Sequence, residues 1–396
     1  MGNPVTPRVR NHIDFATLVA LLALMLLSLG IVYSASSTFS MRKYEDSEWL
    51  LMSHTVKVAI AIVLLFITMK IDYHRYQNLT KLALVSAVLL LLATFAAGVV
   101  AKGAARWIRF GYFGIQPSEF AKYALLFHLC TLFSVKGELV RDFRRGFVPM
   151  MVWIGLVTVL VLIQPNFSMG TMIFLLSVAM VYIGGVRLKH LVLTFGSLVP
   201  LLGVYLMSAP YRVDRLRNYL DSLLGEFSLK NTPYQLFQGI IAFGRGGIFG
   251  VGAGESRQRD GFLPEAHTDF VFSILGEEYG FVGTMFFMIL FLLIMHRGYR
   301  IARFAPDAFG RNLAIAITSA VTLYAVINAG VTLGLLPTTG LPMPFVSFGG
   351  SSMVLSAAAV GVLLNISSQT DLHPRASQVP VVGAVNAGKS AVGKVY

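Results

Sequence analysis

The chain has 396 residues, of which 56% are hydrophobic and only 13% charged, with a formal net charge of +13. Its apolar residues arrive in blocks of about 20 separated by short polar stretches, a pattern that excludes a water-soluble core and defines a polytopic membrane protein. The basic residues are scattered along loop edges and gathered on no soluble domain, which excludes nucleic acid as a partner and fits membrane topology and anionic lipid.

The first apolar block, 14–34, follows Arg8 and Arg10 as a signal peptide would. It lacks a clear small-residue cleavage site and precedes many further spans, so it reads as the first helix. Further helices are predicted over 53–70, 80–100, 118–134, 148–163, 169–185, 190–208, 269–295, 311–333 and 346–366, about ten spans in all. No segment shows strand-like alternation, and lipid leaves the backbone only helices or closed barrels, so the fold class is an all-α transmembrane bundle. Once the one long loop is set aside, Lys and Arg favour the side holding both termini, which places the termini in the cytoplasm. Residues 1–370 form one transmembrane domain, with a large exoplasmic loop at 209–268 before the eighth span.

The loop AKGAARWIRFGYFGIQP at 101–117 carries Arg106, a candidate phosphate clamp, and Trp107, either an interfacial anchor or a substrate-facing ring. QPSEFAKYALL follows at 116–126 and sets Glu119 and Lys122 three apart on one helical face. They can pair with each other, or Lys122 can face a cavity and hold a phosphate or pyrophosphate. Cys130, alone in an apolar span, rules out a disulfide framework and reads as a packing residue.

The loop 209–268 is too long to be a mere connector. Its segment YRVDRLRNYLDSLL at 211–224 suggests short helices on the membrane surface and includes Arg215. AFGRGGIFGVGAGESRQRDG at 242–261 interleaves glycines with Arg245, Arg257 and Arg259, next to Gln258. A backbone-plus-arginine cradle for phosphate or glycan oxygens is one reading, and a flexible loop is the other. LPEAHTDFVF at 263–272 then runs a polar cluster into the eighth span. Thr268 or Asp269 could cap that helix, while a membrane-edge carboxylate flanked by His267 and Glu265 also suits deprotonation of an alcohol; the two roles are compatible. His267 and Glu265 lack a second His or Cys at ligand spacing, which argues against a metal site. Glu277 and Glu278 lie deeper and must be paired or protonated. GLLPTTGLPMPFVSFGGSS at 334–352 carries no charge and reads as non-helical backbone walling a cavity. The tail, 371–396, contains GAVNAGKS at 383–390, a literal match to a phosphate-binding loop. It lacks the preceding strand, following helix and α/β domain such a loop needs, so no nucleotide is expected and the tail reads as flexible.

The ordered series KGAARWI, QPSEFAK, YRVDRL, YQLFQG, GVGAGESRQR, LPEAHTDFVFSILGEE and LLPTTGLPMPFVSFGGSS, spread over positions 102–352, resembles the SEDS family of bacterial cell-wall polymerases (shape, elongation, division and sporulation). The resemblance covers essentially all of positions 10–370, and the forms PEAHTDF and LPTTGLP are more similar to its division branch than to its elongation branch. It implies a peptidoglycan glycosyltransferase of the inner membrane that polymerises lipid II into glycan strands and releases undecaprenyl pyrophosphate. The family's essential aspartate falls on Asp269, as the base that takes a proton from the GlcNAc 4-hydroxyl. Arg106, Lys122, Arg215 and Arg259 would then stabilise pyrophosphate charge, with Trp107, Gln258 and His267 as further substrate contacts. A class B penicillin-binding protein transpeptidase and other divisome membrane proteins are the implied partners, and a divalent cation, Mg or Mn, is the one cofactor left open. The chain departs from the family pattern at Asn166, where relatives carry Asp, and at Arg259, where Lys is common. Alternatives are the same polymerase serving elongation, a lipid II flippase or transporter, and a non-catalytic scaffold. A transporter needs polar groups open to both faces, a polymerase needs them gathered at one.

Overall fold

The computed structural model describes residues 12–97, 99–101, 104–110, 113–207, 213–214, 217 and 233–372. Helices stand at all ten expected places: α1 Phe15–Tyr44, α2 Trp49–Lys70, α3 Tyr73–Ala97, α4 Pro117–Lys136, α5 Val148–Ile163, α6 Phe167–Ile183, α7 Leu188–Met207, α9 Val271–Arg303, α10 Ala308–Thr332 and α11 Gly350–Ser367, with a shorter α8 at Tyr234–Gly246. Eight helical segments among the described residues are long and apolar enough to cross a membrane, and Phe167–Ile183 is a shorter apolar helix. The chain is an all-α polytopic bundle. Arg215 and most of the segment 211–224 lie outside the described residues, as does GAVNAGKS.

One expectation needs correction. No strand is expected from the sequence, yet β1 Val99–Ala101, β2 Ala104–Phe110 and β3 Phe113–Ile115 form an antiparallel meander in that order, and β1 takes the last residues of the helix expected over 80–100. Trp107 pairs with Val99, and Ile108 with Ile115. Aromatic and β-branched residues at 107, 108, 110, 113 and 115 favour extended backbone, and Gly103 and Gly111 fall between the strands. The signal was masked by short strands, too brief for a periodicity to show.

Small residues let the helices approach closely. α11 packs along α2, where a methyl group at Gly361 would stand 2.0 Å from Thr68 Oγ1, and Thr68 donates to Ala358 O at 2.9 Å. Two polar staples close the end opposite the long loop. Asp14 caps α1 by accepting from Thr17 N at 3.0 Å, and its carboxylate also receives Arg297 of α9 at 2.6 Å, while Ser367 of α11 accepts from Asp14 N at 3.0 Å. Nearby, His74 bridges Asp72 at 2.7 Å and Asp307 at 3.1 Å, and Asp307 caps α10 by accepting from Gly310 N at 2.8 Å. Burial alone would raise the Asp307 carboxyl, but hydrogen bonds from His74, Gly310 N–H and Tyr73 outweigh it and hold the group well below the usual carboxylate range.

At the other end, the site end, α9 is broken. Gly280 is non-helical (φ 65°, ψ −162°), dividing α9 into a short buried piece, 271–279, and a long one, 281–303. A break leaves helix carbonyls and N–H groups without partners, which is costly in a membrane. The glycine-rich segment supplies them. Val251 N and Gly252 N donate to Glu277 O and Glu278 O at 3.0 Å, while Phe281 N and Val282 N donate to Gly247 O and Ile248 O at 2.9 and 3.1 Å. The glycines are dictated by this fit: a methyl group at Gly250 (φ 84°) would lie 2.1 Å from Glu278 O, and one at Gly246 would lie 2.0 Å from Gly276 O. Gly246 and Gly250 therefore serve the broken helix, a correction to their reading as a cradle for ligand oxygens.

Candidate active site

Residues 263–270 turn the chain into α9. Glu265 adopts a left-handed backbone (φ 56°), which lets its carbonyl accept from Thr268 N at 3.1 Å and Phe270 N at 3.3 Å, and its carboxylate accepts from Thr268 Oγ1 at 2.8 Å. Phe270 occupies the N-cap of α9, which has no side-chain cap hydrogen bond. The N-cap position itself thus falls on Phe270 rather than on Thr268 or Asp269, and the tight turn at Glu265 engages Thr268.

Asp269 is half-buried and sits against the uncharged segment 333–349. A methyl group at Gly340 would stand 3.2 Å from Asp269 Oδ2, so the carboxylate lies against that glycine's backbone. Asn328 of α10, 1% exposed, donates through Nδ2 to Asp269 O and to Leu341 O, both at 2.8 Å. Phe348 N donates to His267 O at 2.9 Å, and the His267 ring touches Phe348 at 5.7 Å and Phe39 at 5.1 Å between centroids.

The second component of the site end is the charged segment 251–262, held to α9 through Glu277 and linked to α1 beside Glu278. Glu277, fully buried, accepts from Arg245 Nη1 at 2.6 Å, from Ser256 Oγ, and from the backbone N–H groups of Arg257 and Gln258 at 3.2 and 3.3 Å. The expected pairing of a deep carboxylate is therefore met by Arg245. Glu278 accepts from Ser34 Oγ of α1, and Arg259 Nη1 donates to the same Ser34 Oγ at 3.1 Å. One helical turn on, Thr38 donates to Asp260 Oδ1 at 2.9 Å, and Arg42 Nη2 to Asp260 O at 3.0 Å. α1 ends ten residues beyond the apolar block predicted, and that extension touches His267 through Phe39 and Asp260 through Thr38 and Arg42.

The sequence-predicted residues separate into groups. His267 and Arg259 meet α1 at Phe39 and Ser34, with Asp269 and Gln258 beside them in sequence at the same end of α9. Trp107 stands on β2 with its indole against Gly114, 3.2 Å from where a methyl would sit, and Gly114 in turn faces Gly350 at the start of α11. Arg106 lies next to it on β2, but its side chain is outside the described part, and Arg215 is outside it altogether. Lys122 is ion-paired: it meets Glu119 at 2.7 Å, both side chains 2% exposed, with its ammonium 4.1 Å from the Tyr324 ring and 4.7 Å from that of Tyr123. Such a boxed pair has its charge already neutralised. Asn166 is a buried N-cap of α6 without a side-chain cap bond, and its neighbour Gln164 donates to Leu91 O at 2.9 Å.

Several residues were not singled out from sequence. Asn328, Ser34 and His54 are polar residues inside apolar helices, which was the available signal. Lys57, a cation inside α2, sets its ammonium 3.8 Å from the Phe348 ring centroid and lines a cavity of about 390 Å³ with Leu90, Gly114, Phe120, Gly350 and Ser351. Among the described residues no three His, Cys, Asp or Glu side chains gather to hold a metal ion.

A polytopic helical bundle whose α9 is broken at Gly280 and preceded by Asp269, set against the uncharged segment 333–349, is the architecture of a known class of membrane proteins. The chain belongs to the cell cycle protein family of FtsW, RodA and SpoVE, whose model matches residues 15–372. It is 38% identical to the stage V sporulation protein E of Bacillus subtilis, across 88% of this chain and 96% of that protein. It is 37% identical to the probable peptidoglycan glycosyltransferase FtsW of Geobacter metallireducens, across 90% and 95%. In structure it is similar to a chain solved in work on the coordination of polymerization and crosslinking by a peptidoglycan synthase complex, with a TM-score of 0.73 and 25% identity, covering 90% of this chain and 97% of that one.

Proposed function

We propose that this chain is a peptidoglycan glycosyltransferase of cell division that polymerises lipid II, with Asp269 as general base. The GlcNAc 4-hydroxyl oxygen attacks C1 of the MurNAc donor as its proton passes to Asp269. The new O4–C1 bond forms, the C1–O bond to pyrophosphate breaks with inversion, and undecaprenyl pyrophosphate leaves with the electron pair. Arg259, steadied through Ser34, offers positive charge to the departing pyrophosphate, with Gln258 and His267 as further contacts. The leaving group is already activated, so no nucleotide enters. A divalent cation, Mg or Mn, would add to that charge stabilisation if it arrives with the substrate's pyrophosphate.

The observation that carries this reading is polarity. Asp269, His267, Gln258 and Arg259 collect at one end of the bundle, whereas at the other end the carboxylates Asp14 and Asp307 are engaged in helix-to-helix pairs with Arg297 and His74. A transporter would need its polar groups open to both ends in turn. We place the chain in the inner membrane with both termini cytoplasmic, from its loop charges. We propose a class B penicillin-binding protein transpeptidase as partner, since this chain contributes only the polymerising chemistry, within a complex of divisome membrane proteins. The test is to incubate the purified chain, with its cognate transpeptidase partner blocked at the acylation site, with labelled lipid II and resolve the products on a gel. Glycan ladders are the expected result; lipid II moved across vesicle bilayers without any ladder would instead establish transport.

A further inference from the structure

The Asp269 turn and the 333–349 segment are separate stretches of irregular backbone, and neither is long enough to fix the other. Besides the bond that Phe348 N donates to His267 O at 2.9 Å, what joins them is one side-chain amide. Asn328 is 1% exposed, and its Nδ2 donates to Asp269 O and Leu341 O at 2.8 Å each. Two carbonyl oxygens at that distance fix which amide atom is the nitrogen, because an oxygen there would face two acceptors. Its Oδ1 is buried with no hydrogen-bond partner, so the polar contribution of the side chain is these two donated bonds. Leu341 follows Gly340, the residue whose backbone meets Asp269 Oδ2. Asn328 thus ties the main chain of the aspartate to the very segment that walls its carboxylate. It does so from near the C-terminal end of α10, an apolar helix where an amide needs a reason.

We propose that Asn328 is a positioning residue for the glycosyl transfer: by bridging Asp269 O and Leu341 O it fixes the Asp269 carboxylate against Gly340 in the orientation that accepts the acceptor-hydroxyl proton. This rests on Asp269 being the base. A base displaced by about 1 Å loses on the order of a hundredfold in rate while substrate binding, made elsewhere, is kept. Asn328 touches no substrate in this scheme, so its signature is a split between kcat and KM.

The test uses the full chain with its transpeptidase partner and measures initial polymerisation rate against lipid II concentration for wild type, Asn328→Ser, Gly340→Ala and Asp269→Ala. Asn328→Ser removes the bridge from behind. Gly340→Ala, at an exposed glycine where folding is not at stake, pushes a methyl group to 3.2 Å from the carboxylate from the front. Both are expected to lower kcat at least tenfold with KM within twofold of wild type. Wild-type kcat in both, with Asp269→Ala inactive, overturns the positioning role and leaves the base reading standing; a raised KM with unchanged kcat overturns it too, by making this wall a binding surface. Polymerisation retained by Asp269→Ala overturns the base reading itself, and the positioning role with it.

Discussion

Two stretches of irregular backbone stand at the Asp269 end of the bundle, and they are built on opposite principles. The 247–262 wall is rich in charge and glycine: its backbone repairs the break in α9, and its side chains are latched by Glu277, Glu278 and the extension of α1. The 333–349 wall has no charged residue and is held by neutral hydrogen bonds, from Asn328, from Phe348 N to His267 O, and from Met343 N to Ser347 Oγ at 2.8 Å. The difference assigns them different work. A wall whose cations are tethered through a serine can present charge to an anionic leaving group, whereas a wall of neutral backbone can press on a carboxylate without shifting its charge.

The contrast can be broken most forcefully at Gly250. Replacing it with Ala forces a left-handed backbone on a residue with a side chain and drives a methyl group into Glu278 O. The expected loss is roughly 4 kcal/mol of stability, read as a fall in the thermal unfolding midpoint of the detergent-solubilised protein; an unchanged midpoint would mean that the loop does not repair α9 in the folded state. Glu277→Gln comes next. It leaves Arg245 without its counter-charge and keeps one acceptor oxygen in place of two, and because Arg245 is partly open to solvent the expected loss is about 2 kcal/mol. The change should also raise KM for lipid II several-fold through a looser Gln258–Arg259 segment, so a lower kcat at constant KM would move the charged wall from binding to chemistry.

The smallest effect sharpens the contrast by acting far from both walls. Asp307 has a folded carboxyl value below its unfolded one, so its contribution to stability is present above the ordinary carboxylate range and is lost as pH falls through that range toward the folded value. Asp307→Asn should therefore lower the unfolding midpoint modestly, by about 1 kcal/mol, and flatten its decline below about pH 4. Kinetic constants at neutral pH should stay within error. Altered kinetics there would show that the two ends of the bundle are coupled.

Hydrophobic blocks and the spacing of polar interruptions placed all ten long helices, because a bilayer fixes span length and leaves the backbone few choices. Asp269 was legible as a carboxylate at a membrane edge, and its neighbourhood with His267, Gln258 and Arg259 was legible from one continuous stretch of sequence. What was not legible depends on contacts between distant residues. Glycines at 246 and 250 announced close approach, but only the fold shows that the approach is to a helix broken at Gly280. Lys122 at three residues from Glu119 left pairing and ligand binding equally open until burial of both side chains closed the box around them. Asn328 and Ser34 are ordinary residues for a transmembrane helix, and their importance arises from which carbonyl or guanidinium stands opposite.

The central claim, that the Asp269 carboxylate accepts the proton of the attacking hydroxyl, is tested most directly by Asp269→Asn. The amide has the same shape and can keep the same contacts, but it is not a base at neutral pH. Initial rates of glycan polymerisation should fall by about 10²–10⁴-fold with the unfolding midpoint and lipid II affinity preserved. A rate within a few-fold of wild type would contradict the account and reduce Asp269 to a structural residue at the mouth of α9.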